Sequence, residues 1–302
     1  MNFSVTILGS GSAVPTSRRN PSAQYIQCSN RHLLIDCGEG TQMQLRKMGI
    51  KFQRIGHVFI SHLHGDHYYG LIGLLSTMHL MGRDKPIRIY GPVGLKQIIE
   101  LQIEADGGRL KFDVIFQELP KGSSGVLLED EKIQVSNFPL DHRVPTSGFL
   151  VIEKEKERTL LIDEANKDNI KIEYYNRLKL GKDIIEDGQL ISFEKYTKPP
   201  GPAKKYAYCS DTKYNESIIP FINSVDVLYH EATFTDKYED RAVSTKHSTA
   251  KEAAKIAKKA NVGRLLMGHL SARYHTGEIH EAEARTIYEN SVVVEDGETY
   301  PI

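Results

Sequence analysis

Six consecutive residues, His62-Leu63-His64-Gly65-Asp66-His67, contain four side chains that can bind a metal ion. Imidazole nitrogens and carboxylate oxygens suit Zn²⁺, which they bind at about 2.0–2.2 Å. In a tight loop, the first two histidines can face one metal ion while the aspartate and the last histidine face a second. Two ions about 3.5–4 Å apart can hold a hydroxide and stabilise both oxygens of a phosphoryl displacement. The spacing therefore predicts a two-metal hydrolytic site; the alternative is a histidine-rich surface loop without chemistry.

The elements around this motif are predicted from hydrophobic periodicity. A nonpolar run over 57–61 predicts a strand that ends at the motif, and nonpolar residues at i, i+3, i+4 and i+7 predict a helix over 68–81. Ser248 or Thr249, followed by Glu252, predicts the capped start of a helix. Alternating strands and helices indicate sheets covered by helices. Further helices are predicted over 94–105, 250–260 and 278–288, and further strands over 3–8, 33–36, 87–90, 133–138, 206–209, 224–229 and 262–267.

Composition excludes several classes of protein. The 302 residues are 40% hydrophobic and 26% charged, as in soluble globular proteins, and no run approaches eighteen nonpolar residues, so no membrane span is expected. The strand-like N-terminus predicts no secretory signal. Three cysteines, an odd number without a CxxC pair, predict buried thiols in a reducing cytoplasm. These are Cys28, Cys37 and Cys209.

The charge balance argues mildly against a nucleic-acid partner. Lys and Arg number 39, as do Asp and Glu, so the formal net charge is zero. Phosphate binding usually leaves a basic footprint, but such a footprint can be local. Local basic clusters occur at Arg18 and Arg19, at Arg46, Lys47, Lys51 and Arg54, and at Lys251, Lys255, Lys258 and Lys259. Each cluster is alternatively a solvated face.

Seven segments in order resemble the short-form ribonuclease Z family, the tRNA 3′-processing endoribonucleases of the metallo-β-lactamase superfamily. The metal motif itself matches the HxHxDH signature of that superfamily. The segments are GSGSAVPT at 9–16, IDCGEGTQ at 35–42, SHLHGDH at 61–67, YCSDT at 208–212, HEATF at 230–234, KHSTAKEA at 246–253 and MGHLSARY at 267–274. The resemblance covers nearly the whole chain. It implies an α/β protein with the four-layer αββα metallo-β-lactamase sandwich.

The resemblance also implies the metal ligands, several of which stand alone in the sequence. It implies two Zn²⁺ ions per chain, and it gives Asp36 the function of supporting the ligand loop by hydrogen bonds. The first ion is expected on His62, His64 and His142, and the second on Asp66, His67 and His269, with Asp211 bridging both.

The implied reaction is a single endonucleolytic cut at the 3′ side of precursor tRNA. Metal-bound hydroxide attacks phosphorus, leaving a 3′-hydroxyl on the tRNA and a 5′-phosphate on the trailer. Asp66 is expected to accept the proton of the nucleophile. His247, oriented by Glu231, is expected to donate a proton to the leaving oxygen.

Two further segments are expected to contact the substrate. Residues 15–20 resemble the family's PxKxRN loop, which recognises the tRNA 3′ end, although Ser17 replaces the usual lysine. An insertion over about 152–205 in the single domain of 1–302 matches the position of the family's flexible arm, or exosite, which grips the tRNA elbow. The Gly-Pro pair usual at its tip is missing, and the alternative is a plain surface insertion. The predicted substrate-binding residues are Arg18, Arg19, Asn20 and Arg273.

Two other functions compete with tRNA processing. One is a small-molecule enzyme of the same fold, such as a cyclic-nucleotide phosphodiesterase, an arylsulfatase or a lactonase. The other is a non-catalytic RNA-binding protein, which has no use for an intact ligand set. The resemblance also implies a homodimer in the cytoplasm. The sequence leaves open whether the cut falls after the discriminator base or after an encoded CCA.

Overall fold

A computed structural model describes residues 3–105, 107–154 and 156–302. Two compact units divide the chain: the larger comprises the residues up to Ile152 and from Lys204 onwards, and the smaller is Glu153–Ala203. Helices of the described residues are α1 (Thr41–Lys47), α2 (Gly65–Tyr68), α3 (Gly70–Leu80), α4 (Leu95–Ala105), α5 (Ile162–Lys167), α6 (Tyr175–Lys179), α7 (Phe193–Tyr196), α8 (Ile219–Ile222), α9 (Glu239–Thr245), α10 (Ala250–Lys259) and α11 (Glu278–Arg285). Within the described part of the chain, no helix is long and nonpolar enough to cross a bilayer.

The first sheet of the larger unit has seven strands. They are β1 (Phe3–Gly9), β2 (Ala23–Cys28), β3 (Arg31–Ile35), β4 (His57–Phe59), β5 (Ile87–Pro92), β6 (Val114–Leu119) and β18 (Thr299–Pro301). Their spatial order is β18-β1-β2-β3-β4-β5-β6. Strands β3 to β6 are parallel to one another, whereas β18, β1, β2 and β3 pair antiparallel.

The second sheet also has seven strands. They are β7 (Gly125–Glu129), β8 (Ile133–Leu140), β9 (Thr146–Glu153), β14 (Lys205–Cys209), β15 (Val227–Glu231), β16 (Arg264–Gly268) and β17 (Ser291–Val293). Their order is β17-β16-β15-β14-β9-β8-β7. Strands β14 to β17 are parallel, and β9 pairs antiparallel with β14.

Central strands of both sheets are buried on two faces, which is why they are nonpolar on both sides. Successive side chains of a strand point to opposite faces. In β3, Leu33 and Ile35 join the core between the sheets, while Leu34 packs in the core that includes α1 and α3. In β15, Tyr229 lies between the sheets and Leu228 packs in the core that includes α10. The larger unit is therefore a four-layer αββα sandwich, as predicted.

Most predicted elements are present with small shifts in their ends. The helix expected over 68–81 is two helices, α2 and α3, separated at Tyr69. Thr249 caps α10 in a capping box with Glu252, one of the two predicted arrangements. All three cysteines are buried, as predicted.

The smaller unit has more structure than its lack of periodicity indicated. It contains β10 (Thr159–Leu160), β11 (Ile184–Glu186), β12 (Gln189–Ile191), β13 (Thr197–Lys198) and helices α5 to α7. Ala165, Leu178, Ile184 and Tyr196 form its buried core. Elements of two to six residues are too short to show a period. The local sequence signal of this structure is the Asp-Gly pair at 187–188, in the turn between β11 and β12. Both residues have positive φ, as Asp-Gly hairpin turns require.

Candidate metal and catalytic centre

The predicted metal ligands meet at one edge of the sandwich. Carboxyl ends of parallel strands lie at the same edge of a sheet, where their loops can converge. His62, His64, Asp66 and His67 follow β4, His142 follows β8, Asp211 follows β14 and His269 follows β16. Three groups have ligand atoms within 4.8 Å of one another: His62, His64, His142 and Asp211; Asp66, His67 and His269; and Asp211 and His269 with His247.

The first group fits one tetrahedral metal ion. Nδ1 of His64 lies 3.1 Å from Nε2 of His62 and 3.3 Å from Nε2 of His142. Oδ2 of Asp211 lies 3.5 Å and 3.7 Å from the Nε2 atoms of His62 and His142. Ligand atoms about 2.1 Å from a tetrahedral centre are separated by about 3.4 Å. The four atoms therefore surround a position of the right size for zinc.

The second group shares Asp211 with the first. Oδ2 of Asp66 lies 3.4 Å from Nε2 of His67 and 3.3 Å from Nε2 of His269. Oδ1 of Asp211 lies 3.5 Å and 3.2 Å from the same two nitrogens. Nε2 of His67 and Oδ1 of Asp211 are buried without a hydrogen-bond partner among the described residues. Because an unpaired buried polar atom is costly, these atoms fit a metal ion as their partner.

Hydrogen bonds on the far side of three imidazoles orient them. Nδ1 of His67 donates to Asp36 at 2.8 Å, and Nδ1 of His142 donates to the carbonyl of Lys246 at 2.8 Å. Nδ1 of His269 donates to the Thr233 hydroxyl at 2.9 Å. Each bond fixes the tautomer, so that the Nε2 lone pair faces the group.

Asp36 connects the ligand loop to both sheets. Its fully buried carboxylate accepts hydrogen bonds from the backbone N–H of Ser61 at 2.7 Å, the Ser61 hydroxyl at 2.9 Å and the Tyr208 hydroxyl at 2.7 Å. The Ser61 hydroxyl also contacts Nδ1 of His62 at 3.0 Å. Movement of Asp36 would therefore displace the start of the metal motif.

The electrostatics of the site differ between its histidines, and its carboxylates favour a positive charge. Burial lowers the pKa of His62 to about 4, which keeps its ring uncharged and able to bind metal. Burial also opposes charge on His67, but the carboxylates of Asp211, Asp36 and Asp66 outweigh it and raise the pKa of His67 well above its usual range. The same carboxylates attract a divalent cation.

Buried Glu231 and half-buried His247 form a pair beside the metal groups. The Glu231 carboxylate accepts hydrogen bonds from Nδ1 of His247 at 2.8 Å and from the backbone N–H of Thr212 at 3.1 Å. It also accepts from the N–H and hydroxyl of Thr233 at 2.9 Å and 2.7 Å. Burial disfavours the imidazolium, but the carboxylates of Glu231 and Asp211 raise the pKa of His247 to about 9. Imidazolium is the form that can donate a proton.

A cleft of about 620 Å³ opens over this centre. His64, Asp66, His142, Asp211, His247 and His269 line it, together with Arg273 from the predicted substrate-binding set. Arg143 and Arg241 also line the cleft and were not predicted, since an isolated arginine carries no motif signal. Thr233 was not predicted as a site residue. It lies in the segment HEATF, two residues after Glu231, and this spacing could have indicated it.

The loop over 15–20 places its polar residues differently from the prediction. Arg19 is buried: its guanidinium donates to the Ser10 hydroxyl at 2.6 Å and the Val294 carbonyl at 2.7 Å, and it pairs with Glu295. The side chain of Asn20 donates to Asp296 at 2.8 Å. These donors therefore bind the C-terminal segment. Arg18 is exposed at the surface.

Glycine is required where this loop meets the first strand. A Cβ at Gly9 would lie 1.7 Å from the carbonyl oxygen of Pro21. Pro21 and Ser12 both line the cleft, so the turn after β1 brings backbone close to the centre.

Known proteins resemble this chain over almost its full length. A family model described as the Anti-Pycsar protein Apyc1 matches residues 3–142. The chain is 40% identical to ribonuclease Z of Bacteroides fragilis over 295 residues, covering 97% of each chain. It is 40% identical to ribonuclease Z of Parabacteroides distasonis over 297 residues, covering 98% of each.

Solved structures give the same result. The crystal structure of human tRNase Z, short form, matches with a TM-score of 0.74 and 30% identity over 99% of both chains. The metallo-β-lactamase fold protein YhfI from Bacillus subtilis matches with a TM-score of 0.69 and 20% identity, covering 99% of this chain and 98% of its own. The predicted fold is confirmed. With 40% identity to curated relatives over almost its whole length, the chain belongs to the ribonuclease Z family.

Proposed function

We propose that the protein is a metal-dependent endoribonuclease that removes the 3′ trailer from precursor tRNA in the cytoplasm. This proposal rests on the position of Asp211. One of its carboxylate oxygens lies in each of the two histidine groups, and the Glu231–His247 pair lies beside them. Family membership supplies the substrate class, since the relatives are named ribonuclease Z.

The donor atoms suit two zinc ions per chain. His62, His64 and His142 would hold one ion, and Asp66, His67 and His269 the other, with Asp211 bound to both. Nitrogen ligands with few carboxylates favour zinc over magnesium or calcium. When bound, the ions supply Lewis-acid chemistry, activating water and stabilising charge on the phosphoryl oxygens.

Side chains of the centre would move the protons. The carboxylate of Asp66 lines the cleft and would accept the proton of the attacking water. His247 uses Nδ1 to donate to Glu231, so Nε2 is the nitrogen left to protonate the leaving 3′-oxygen. Four donors fix the Glu231 carboxylate, which therefore holds the imidazole in position.

The smaller unit would hold the body of the tRNA. It has its own buried core and is therefore a defined structure rather than a plain loop. Four exposed cations of this unit, Lys167, Arg177, Lys182 and Lys198, form no ion pair among the described residues. Unpaired cations are available to phosphates. Residues Arg18 and Arg273 of the larger unit would contact the acceptor end.

A homodimer is proposed from the exposed nonpolar side chains of three neighbouring helices. Met43 of α1 is 66% exposed, Leu80 of α3 81% and Leu101 of α4 64%. A dimer interface over these helices would remove the three side chains from water, which favours association. Analytical ultracentrifugation should give twice the monomer mass, and Leu80→Glu with Leu101→Glu should give the monomer mass. A monomer in the unchanged protein would reject the homodimer.

The competing small-molecule activity makes a different prediction. Relatives named ribonuclease Z match almost the whole chain. Cleavage of a precursor tRNA should therefore exceed cleavage of bis(p-nitrophenyl) phosphate and of cyclic nucleotides by orders of magnitude in kcat/KM. Precursors with and without an encoded CCA should be compared in the same assay. Turnover of small diesters alone would reject the proposal.

A further inference from the structure

Three arginines beside the metal centre lack carboxylate partners. Arg143, Arg241 and Arg273 all line the cleft, and none forms an ion pair with a carboxylate among the described residues. The chain as a whole has equal numbers of acidic and basic residues. A row of unpaired guanidinium groups in a cleft is therefore a local basic feature. Guanidinium groups suit phosphate oxygens, which they bind with paired N–H donors.

Helix α9 arranges the three groups along one wall. Arg273 stacks over the ring of Tyr238, the residue before α9, at 4.7 Å, and over that of Phe234 at 5.1 Å. Arg241 lies within α9, and Nη2 of Arg143 donates to the carbonyl of Ser244 in its last turn at 3.1 Å. Positions 238, 241 and 244 follow one another along one side of the helix, about 4.5 Å apart along its axis.

A purely structural function does not account for these arginines. The bond from Arg143 satisfies one free carbonyl at the end of α9, but it uses one of five guanidinium donors. The side chain of Arg241 makes no hydrogen bond or ion pair to the other described residues, and it is exposed on the cleft wall. The remaining donors are therefore free for a ligand.

The position of His247 decides which part of the RNA lies on this wall. Lys246 ends α9 and His247 follows it directly. His247 is proposed to protonate the leaving oxygen, which is the 3′-oxygen of the tRNA product. The nucleotide that carries this oxygen must therefore lie on the α9 side of the cleft.

We propose that Arg143 and Arg241, in line with Arg273, bind the phosphates immediately upstream of the cleaved bond, between the last nucleotides of the mature tRNA, and that the trailer leaves by another side. This inference rests on the proposed function. Its ligand class is single-stranded RNA backbone, bound without reading the bases. Arg241 and Arg143 thereby position the acceptor end, while Glu231 and His247 act on the oxygen.

The proposal is tested by removing charge from the protein and from the RNA. Precursor tRNAs would carry one uncharged methylphosphonate linkage on a 2′-O-methyl nucleotide, either just upstream or just downstream of the cut. Arg241→Ala should lower single-turnover kcat/KM on the unmodified RNA on the order of 10-fold. The loss should vanish with the upstream linkage and persist with the downstream linkage. Arg143→Ala should behave in the same way, and the exposed Arg109→Ala should have no effect.

Three outcomes would overturn the proposal, and each can be distinguished from a failure of the proposed function. A loss that persists with the upstream linkage shows that the arginines act elsewhere. A loss that vanishes with the downstream linkage places the trailer on the α9 wall. Equal losses on the RNA and on bis(p-nitrophenyl) phosphate indicate a structural effect. In each case the unchanged protein still cuts the precursor, whereas an unchanged protein that cuts no precursor refutes the function and the inference together.

Discussion

Asp211 is the residue on which both halves of the metal centre depend, because its two oxygens face different histidine groups. Asp211→Ala should therefore release both ions together and abolish turnover, whereas Asp66→Ala should weaken only the second. Metal analysis of the purified variants measures this, with about two zinc per unchanged chain expected. Loss of one ion from Asp211→Ala would show that the carboxylate serves a single site.

His247 is the residue whose removal should separate chemistry from metal binding. His247→Ala should reduce kcat on precursor tRNA by roughly 10²–10⁴-fold, because the leaving 3′-oxygen needs a proton. The reduction should be much smaller on bis(p-nitrophenyl) phosphate, whose nitrophenolate leaves without one. Zinc content should not change. Loss of zinc, or an equal reduction on both substrates, would make His247 a structural residue.

At the scale of elements, the ends of strands and helices position the centre. Thr249 caps α10 two residues after His247, so Thr249→Ala should lower the free energy of unfolding by about 1 kcal/mol. Chemical denaturation measures the change, with Lys255→Ala on the exposed face of α10 as the control. A Thr249→Ala effect no larger than that of the control would mean that the cap contributes nothing to stability.

Some parts of the site can be predicted from the sequence because their residues lie close together in the chain, and other parts cannot. The residues of the capping box lie within a few positions of one another, as do those of the six-residue metal motif, so local spacing identifies each of them. The orienting bond to His142 comes from the carbonyl of Lys246, and any residue type supplies a carbonyl. Arg19 is buried by contacts with residues about 275 positions away, which no local pattern indicates.

At the scale of the whole molecule, we propose that the smaller unit binds the tRNA while the larger unit carries out the chemistry. Replacing residues 153–203 with a short Gly/Ser linker should weaken tRNA binding strongly and leave hydrolysis of bis(p-nitrophenyl) phosphate largely intact. Binding by the unchanged protein should weaken as salt rises, because phosphate contacts release counterions. Fluorescence anisotropy and a chromogenic assay measure the two effects. Equal loss of both would assign the smaller unit to folding.

The most direct test of the central claim is sequencing of both RNA ends made from a precursor tRNA by metal-depleted and zinc-restored protein. The account predicts one cut at the trailer boundary, with a 3′-hydroxyl on the tRNA and a 5′-phosphate on the trailer. It also predicts that cleavage disappears on chelation and returns with zinc. A 2′,3′-cyclic phosphate end, scattered cuts, or cleavage unaffected by chelation would contradict it.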